Sequence, residues 1–452
     1  MPLALFAAAL VFDYGVLGRS MRFDPTMYQF LDLEALRHHP GTSLLLLHGQ
    51  PPLLNVVLGI AAGVAGALGL HLETVLGVLF AAAGAVTAVG LQRLVLEWTG
   101  SPLRALACVA LYLVEPALYV EHTAGVGLNF FFYEHLLQPV LVLLAWALIR
   151  WHKGRSTVEA AAAIALVGVA VNLRSLCHPL LWGTPIVILV VLGTRAAERS
   201  RWRAAAFGAA ALLVFGWSAK NAYLFGAFTN SSWDAYGLSR GFVPPPVELR
   251  PFLGGGGAPD GTPLLARFPH LAAFGADSLR VVTAPTKRDG SANWNHLLFL
   301  TTRADLTDRA LAARSDLGRD VAIAGVMYAL STRAMYLHPY TGRAFGKSPA
   351  EFEGWLWLYD RMLYLDVSAI LGDTGEQPGL TLFGLVWLPL LVVLAVAHAR
   401  RVPDERFGLA TLGFLALFPL AVACATDGVE GNRMRYSTFA VIACVTVRRD
   451  VG

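Results

Sequence analysis

The residues with chemical capacity gather near the start of the chain, in MRFDPTMYQFLDLEALRHHPGTSLLLLHGQPPLLN, from Met21 to Asn55. This stretch carries Asp24, Asp32 and Glu34, then Arg37, His38, His39 and His48, and passes through Gln50-Pro51-Pro52 into an apolar run. A carboxylate at the edge of a low-dielectric medium can serve as general base toward a hydroxyl. Its hard oxygens could equally ligate a divalent cation such as Mg or Mn. Pro25 biases Asp24 toward an extended or turn backbone that exposes the carboxylate. The same pair also reads as a helix N-cap followed by Pro at the first helical position. Asp24 is the leading candidate for a catalytic base. Asp32 and Glu34, expected on the following helix, are the runners-up.

Cations that could hold a phosphate lie far apart in sequence. Arg433 and Arg435 sit in EGNRMRY before the last apolar run, Arg174 in the turn RSLCH, and Lys220 at the end of another apolar run. Arginine meets phosphate oxygens through a planar, bidentate fork. Lys220 and Arg174 could instead snorkel to lipid headgroups. His48 joins this set through its place in HGQPP. The other histidines singled out, His122, His135, His178, His296 and His338, form no HExxH or i, i+4 pair. Gln50, Glu121, Trp233, Asn293 and Asn295 are candidates for holding a sugar by hydrogen bonds and stacking, with Asn230, Ser231, Ser232 and Trp294 beside them. A folded cap with polar turns would use the same residues structurally.

The elements that position these residues are apolar helices. The chain has 452 residues, of which 56% are hydrophobic and 15% charged; soluble domains carry roughly 25% charged residues. Apolar runs at about 2–17, 75–92, 103–120, 136–150, 157–173, 179–194, 204–219, 380–398, 407–424 and 436–447 predict an all-α polytopic membrane protein with about ten spans. The run 51–69 opens on two prolines and contains Gly59, Gly63, Gly66 and Gly69, which suits a helix that lies at the interface or dips in. Basic clusters at Arg150/Lys153/Arg155, Arg195/Arg199/Arg201/Arg203, Arg400/Arg401/Arg406 and Arg448/Arg449 predict cytoplasmic loops. Segments 18–74, 121–135, 220–379 and 425–435 then share the outer face. The predicted organisation is a transmembrane module over 1–219 with its first outer loop at 18–74, an extracytoplasmic, mostly helical insert over 220–379, and C-terminal spans over 380–452. Within the insert, HLAAFGADSLRVV and DRALAARSDLGRDVAIAGVMYALSTRAMYL read as helices.

The four cysteines, Cys108, Cys177, Cys424 and Cys444, have no metal or disulfide spacing. The consecutive glycines 254–257 match no nucleotide-binding pattern, and no basic–aromatic stripe suggests nucleic acid.

The order of elements resembles the GT-C superfamily of polytopic glycosyltransferases, which includes protein O-mannosyltransferases and lipid A aminoarabinose transferases. A first span is followed by an acidic outer loop (FDPTMYQFLD), then a Pro-Pro element (HGQPPLLN), and the chain closes with an acidic-plus-arginine motif (EGNRMRY). The resemblance covers about residues 1–220 and the last spans. It implies transfer of a sugar from a polyprenyl-phosphate donor to a hydroxyl of a glycan, lipid or protein acceptor, on the outer face of a bacterial inner membrane. By that resemblance Asp24 matches the loop acid, Gln50-Pro51-Pro52-Leu53 the element under the lipid phosphate, and Arg433 and Arg435 the cations near the leaving group. Two departures stand out. Pro25 replaces the second acid of many relatives, and His48 and Gln50 stand where aminoarabinose transferases carry Lys. The alternatives are a transporter or flippase of lipid-linked saccharides, and a non-catalytic membrane scaffold.

Overall fold

The computed structural model describes residues 1–16, 21, 23–27, 29–113, 133–195, 199–239, 246–250, 259–313, 388–425, 440, 441 and 444. The described residues are all-helical, apart from one isolated bridge between Thr286 and Ala292. In chain order the α-helices are α1 (Pro2–Leu10), α2 (Leu33–His38), α3 (Pro40–Leu46), α4 (Leu53–Leu68), α5 (Leu72–Thr99), α6 (Pro102–Leu113), α7 (Tyr133–Gly154), α8 (Thr157–Leu173), α9 (Thr184–Gly193), α10 (Arg199–Phe225), α11 (Asp234–Ser239), α12 (Ala276–Thr283), α13 (Leu298–Thr301), α14 (Arg303–Ala313), α15 (Leu388–Arg401) and α16 (Arg406–Ala425). Two helices, α5 and the Arg201–Phe225 part of α10, are long and apolar enough to cross a membrane.

The chain divides into two compact units. One unit comprises residues 1–22, 76–160 and 318–452; the other comprises 23–75 and 161–317. In the first, α7 is buried along most of its length, with Trp151 fully enclosed. Gly90 lets α5 approach α7 so closely that a Cβ there would lie 2.9 Å from Val142. Trp146 donates to Glu97 at 2.7 Å, and His152 stacks on Phe407 of α16.

The second unit holds the acidic stretch. Here α8 and α10 meet at Gly168, where a Cβ would lie 2.8 Å from Leu213. Small residues at such crossings let apolar helices pack without a cavity. The run 51–69 forms α4, which buries Leu54, Leu58, Ala61, Ala62 and Ala65 and turns Ile60, Val64 and Leu68 outward. Sixteen residues give a rod of about 24 Å, short of the roughly 30 Å of hydrocarbon. Gly69 ends it in the left-handed conformation at φ 63°. A core of Leu46, Leu224, Phe225, Phe268, Leu271, Val282 and Leu297 ties the end of α3 to the end of α10 and to the segment after it.

Two local expectations are corrected. Asp24-Pro25 starts no helix: residues 24–27 form a turn, closed by the Met27 amide on the Asp24 carbonyl, and the next helix begins at Leu33 with Asp32 as its cap. HLAAFGADSLRVV is broken, with a 3-10 segment at Pro269–Ala273 and α12 beginning after Gly275. Gly275 caps α12 from an extended conformation, so the helical register cannot run through it. Of the second expected helix of the insert, α14 covers 303–313, and the remainder lies outside the described residues.

Candidate functional site

The HGQPP loop, residues 48–52, is buried throughout. A buried loop must find partners for its peptide groups inside the protein. One side chain, Asn295, holds two of its amides and ties it to the neighbouring segments. Its Oδ1 accepts from the amides of His48 and Gly49, each at 2.8 Å, and its Nδ2 donates to the carbonyls of Leu46 at 3.1 Å and Val281 at 3.3 Å. The Ser232 amide donates to the His48 carbonyl at 2.8 Å, and Ser231 Oγ donates to the Gly49 carbonyl at 2.6 Å. Gly49 has no room for a side chain: a Cβ would meet the Trp294 carbonyl at 3.1 Å, Trp233 Nε1 at 3.2 Å and Asn295 Oδ1 at 3.3 Å.

Lys220 closes the loop from the other side. Its ammonium donates to the carbonyls of Leu45 at 3.0 Å and Leu47 at 2.5 Å and lies 3.7 Å from the centre of the Trp217 ring. It thus caps the carbonyl end of α3, where a cation is favoured. The His48 imidazole is fully buried. Its Nδ1 pairs with Ser232 Oγ at 2.9 Å, its ring meets Phe225 edge-on, and its Nε2 has no hydrogen-bond partner among the described residues. Burial, with Lys220 and His296 nearby, pushes its pKa well below the ordinary histidine value.

The acidic loop is held by two further side chains. Asn55, in α4, accepts from the Leu31 amide at 2.8 Å and donates to the Gln29 carbonyl at 3.2 Å. Lys287 donates to the carbonyls of Pro25 at 2.8 Å and Met27 at 3.2 Å. Lys287 sits on a tight turn closed by its own amide on the Ser291 carbonyl, with Gly290 at φ 83°. Burial lowers the pKa of this lysine, and the charges of Asp289, Asp24 and Asp32 oppose that shift.

The three candidate acids differ in their freedom. Asp24 is partly exposed. Its Oδ1 accepts from the Thr26 amide at 2.9 Å and the Thr26 hydroxyl at 2.6 Å, and its Oδ2 takes no hydrogen bond among the described residues. Asp32 is structural at both oxygens: Oδ1 accepts from the Ala35 amide at 3.0 Å and Oδ2 from the Arg288 amide at 2.6 Å. Glu34 pairs along α2 with Arg37 at 2.7 Å and His38 at 3.2 Å. Among the described residues no group of three or more His, Cys, Asp or Glu side chains is arranged for a metal. The carboxylates near Lys287 do not fit a divalent cation, because they already accept from amides and hydroxyls and face an ammonium. Asp289 takes the Ser291 amide at 2.9 Å and hydroxyl at 2.5 Å on Oδ1, and its Oδ2 lies 4.0 Å from Lys287 Nζ.

The remaining sequence candidates separate clearly. The structure brings His48, Gln50, Lys220, Trp233, Asn293 and Asn295 into the same unit as Asp24. Four of these serve the scaffold. Asn293 donates to the carbonyls of Val281 and Ala284, at 3.1 and 2.9 Å. Trp233 donates to the Trp294 carbonyl at 2.9 Å within a cluster with Trp294 and Phe299. Lys220 and Asn295 are engaged as described. Gln50 is buried beside Gly49, and Arg174 is buried in the turn after α8. Glu121, Arg433 and Arg435 lie outside the described residues. Sequence reasoning missed Asn55, Lys287 and the bidentate pair of Arg303 with Asp234, at 3.0 and 2.8 Å. Only Asn55 carried a signal, as a lone amide in the apolar run LLNVVL. No family model, no curated protein and no solved structure matches this chain.

Proposed function

We propose that this protein is a multi-pass membrane glycosyltransferase that moves a sugar from a polyprenyl-phosphate donor to an acceptor hydroxyl, with inversion. In this reading about ten helices span a bacterial inner membrane, α4 lies at or dips into the outer interface, and the acidic loop faces outward. The observation that carries it is the direct tie between the two motifs of the resemblance: Asn55 of HGQPPLLN holds the backbone of Gln29 and Leu31 in FDPTMYQFLD.

Asp24 is the base. Thr26 fixes its Oδ1, which leaves Oδ2 to take the proton of the acceptor hydroxyl. The acceptor oxygen attacks the anomeric carbon as the bond to the lipid phosphate breaks on the opposite face. The phosphate leaves with its charge, which by the resemblance Arg433 and Arg435, outside the described residues, would meet. Lys220 has its donors on carbonyls and the Trp217 ring, so in this scheme it supports the HGQPP loop rather than the phosphate. A scaffold role fits Trp233, Asn293 and Asn295 of the insert, because all three bond to backbone. The test is release of polyprenyl phosphate from a panel of labelled polyprenyl-phosphate sugars by the purified protein, with membrane extract as acceptor source. Release from at least one donor is expected; no release from any would contradict the proposal.

A further inference from the structure

Cys108 and Cys444 touch. Their sulfurs lie 3.8 Å apart across 336 positions of chain, both side chains are fully enclosed, and both are free thiols. The contact falls inside one compact unit. Cys108 lies on the buried face of α6 with Ala105, Val109 and Tyr112. Ala440 and Val441, four and three positions before Cys444, are buried too. As hydrogen-bonding groups two thiols are weak partners for one another, and small apolar side chains would fill the same space. What two sulfurs in contact can do, and such side chains cannot, is form a covalent bond. A disulfide needs about 2.05 Å between its sulfurs, so each of these would move by less than about 1 Å.

Depth decides which chemistry reaches the pair. Cys108 stands four residues beyond Arg104 in α6, a rise of about 6 Å. Cys444 stands four positions before Arg448. In the proposed membrane topology both arginines mark the cytoplasmic side, where the thiol pool keeps cysteines reduced. Enclosure among apolar side chains shuts out bulky thiol reagents and favours a small, uncharged oxidant.

We propose that Cys108 and Cys444 form a peroxide-responsive dithiol, whose oxidation staples α6 to the C-terminal segment. A hydroperoxide oxidises one thiol to the sulfenic acid, and its O–O bond is reduced to an alcohol, or to water when the oxidant is hydrogen peroxide. The second thiol then attacks the sulfenic sulfur, the S–S bond forms and a water molecule leaves. The two sulfurs together give up two electrons, and the peroxide takes them. Contact in the fold sets this condensation ahead of a second oxidation to sulfinic acid. The inference rests on the glycosyltransferase reading only for the compartment; the pairing stands on the geometry alone.

The test is treatment of the purified full chain in detergent with hydrogen peroxide. The protein is then unfolded, its remaining thiols are alkylated, and it is digested with trypsin and weighed by mass spectrometry without reduction. Trypsin places Cys108 in the peptide 105–150 and Cys444 in 436–448. The alkylated forms of both peptides are expected to be lost in step. A cross-linked species should replace them, with the summed mass of the two thiol peptides less two hydrogens, and reduction should return both. Protein unfolded before the peroxide should lose this preference and pair with Cys177 and Cys424 as well. The proposal is overturned if both thiols remain open to alkylation after peroxide, or if they reach sulfinic acid without the cross-link. It is also overturned if, in the folded chain, Cys108 links to Cys177 or Cys424 as often as to Cys444. Cys108→Ser should leave the 436–448 peptide unlinked; should that variant fail to fold, the wild-type peptide map decides alone. Release of polyprenyl phosphate enters none of these readouts, so failure of the glycosyltransferase reading would appear separately.

Discussion

Replacing Asn295 by alanine tests how the HGQPP loop is held. The substitution removes four hydrogen bonds at a side chain that is 5% exposed. The amides of His48 and Gly49, both buried, lose their shared acceptor. Each stranded buried donor costs about 1–3 kcal/mol, so the two together cost about 2–6 kcal/mol. A folded unit commonly has only about 5–15 kcal/mol in hand. For a unit of this size about 3 kcal/mol corresponds to a fall in Tm of roughly 6–12 °C. The assay is thermal unfolding in detergent, followed by a thiol-reactive dye at Cys177, which is buried in the same unit, with the other three cysteines replaced by serine. Asn295→Asp adds a second reading. It keeps the acceptor for both amides but turns an anionic oxygen toward the Leu46 and Val281 carbonyls. Burial favours the protonated acid in the folded protein, so its folded pKa rises above the ordinary value of about 3.9. The deficit of Asn295→Asp relative to wild type should therefore grow as pH rises through that raised pKa and shrink at low pH. An Asn295→Ala protein within about 1 kcal/mol of wild type would refute the argument, because the two amides would then have to be satisfied elsewhere.

Gly49→Ala should be as damaging without removing any polar group, since its Cβ would press on the Trp294 carbonyl and on Trp233 Nε1; a wild-type unfolding midpoint in the same dye assay would show that the loop can move aside. Stability should also fall on acidification. The buried imidazoles of His48 and His296 have lowered pKa values, so below the ordinary value of about 6.5 the unfolded chain binds protons that the folded chain refuses. Their contribution is present above that value and is lost as pH drops toward the folded pKa. The midpoint measured from pH 7.5 to 5.5 should decline for wild type and decline less for His48→Asn; equal slopes would remove His48 from the account.

The helices were legible because their signal is local. The run 157–173 is α8, 179–194 contains α9, and 407–424 lies within α16. Gly69, at the end of a glycine-spaced run, closes α4. The site was legible only in part. Asp24, His48 and Gln50 announce themselves by type and context, and they fall in one unit. Asn293, Asn295, Trp233 and Lys220 also announce themselves as polar residues near an apolar boundary, and there composition misleads. A sequence shows that a polar group is present, not whether its partner is a ligand or a peptide carbonyl 9 to 249 positions away. Lys287 was invisible for the same reason. Nothing in TAPTKRDGSANW distinguishes a lysine buried under the acidic loop from one on a solvated turn. The break at Gly275 was readable in principle, since a glycine ahead of Ala-Asp fits a cap as well as a helix interior.

The most direct test of the central claim is single-turnover release of polyprenyl phosphate from the donor that wild type accepts, compared between wild type and Asp24→Asn. The account predicts that the amide leaves the unfolding midpoint unchanged, because Oδ1 still accepts from Thr26, while the rate of release falls by about a hundredfold or more. A variant that unfolds as wild type does and releases the lipid phosphate at the wild-type rate would contradict it.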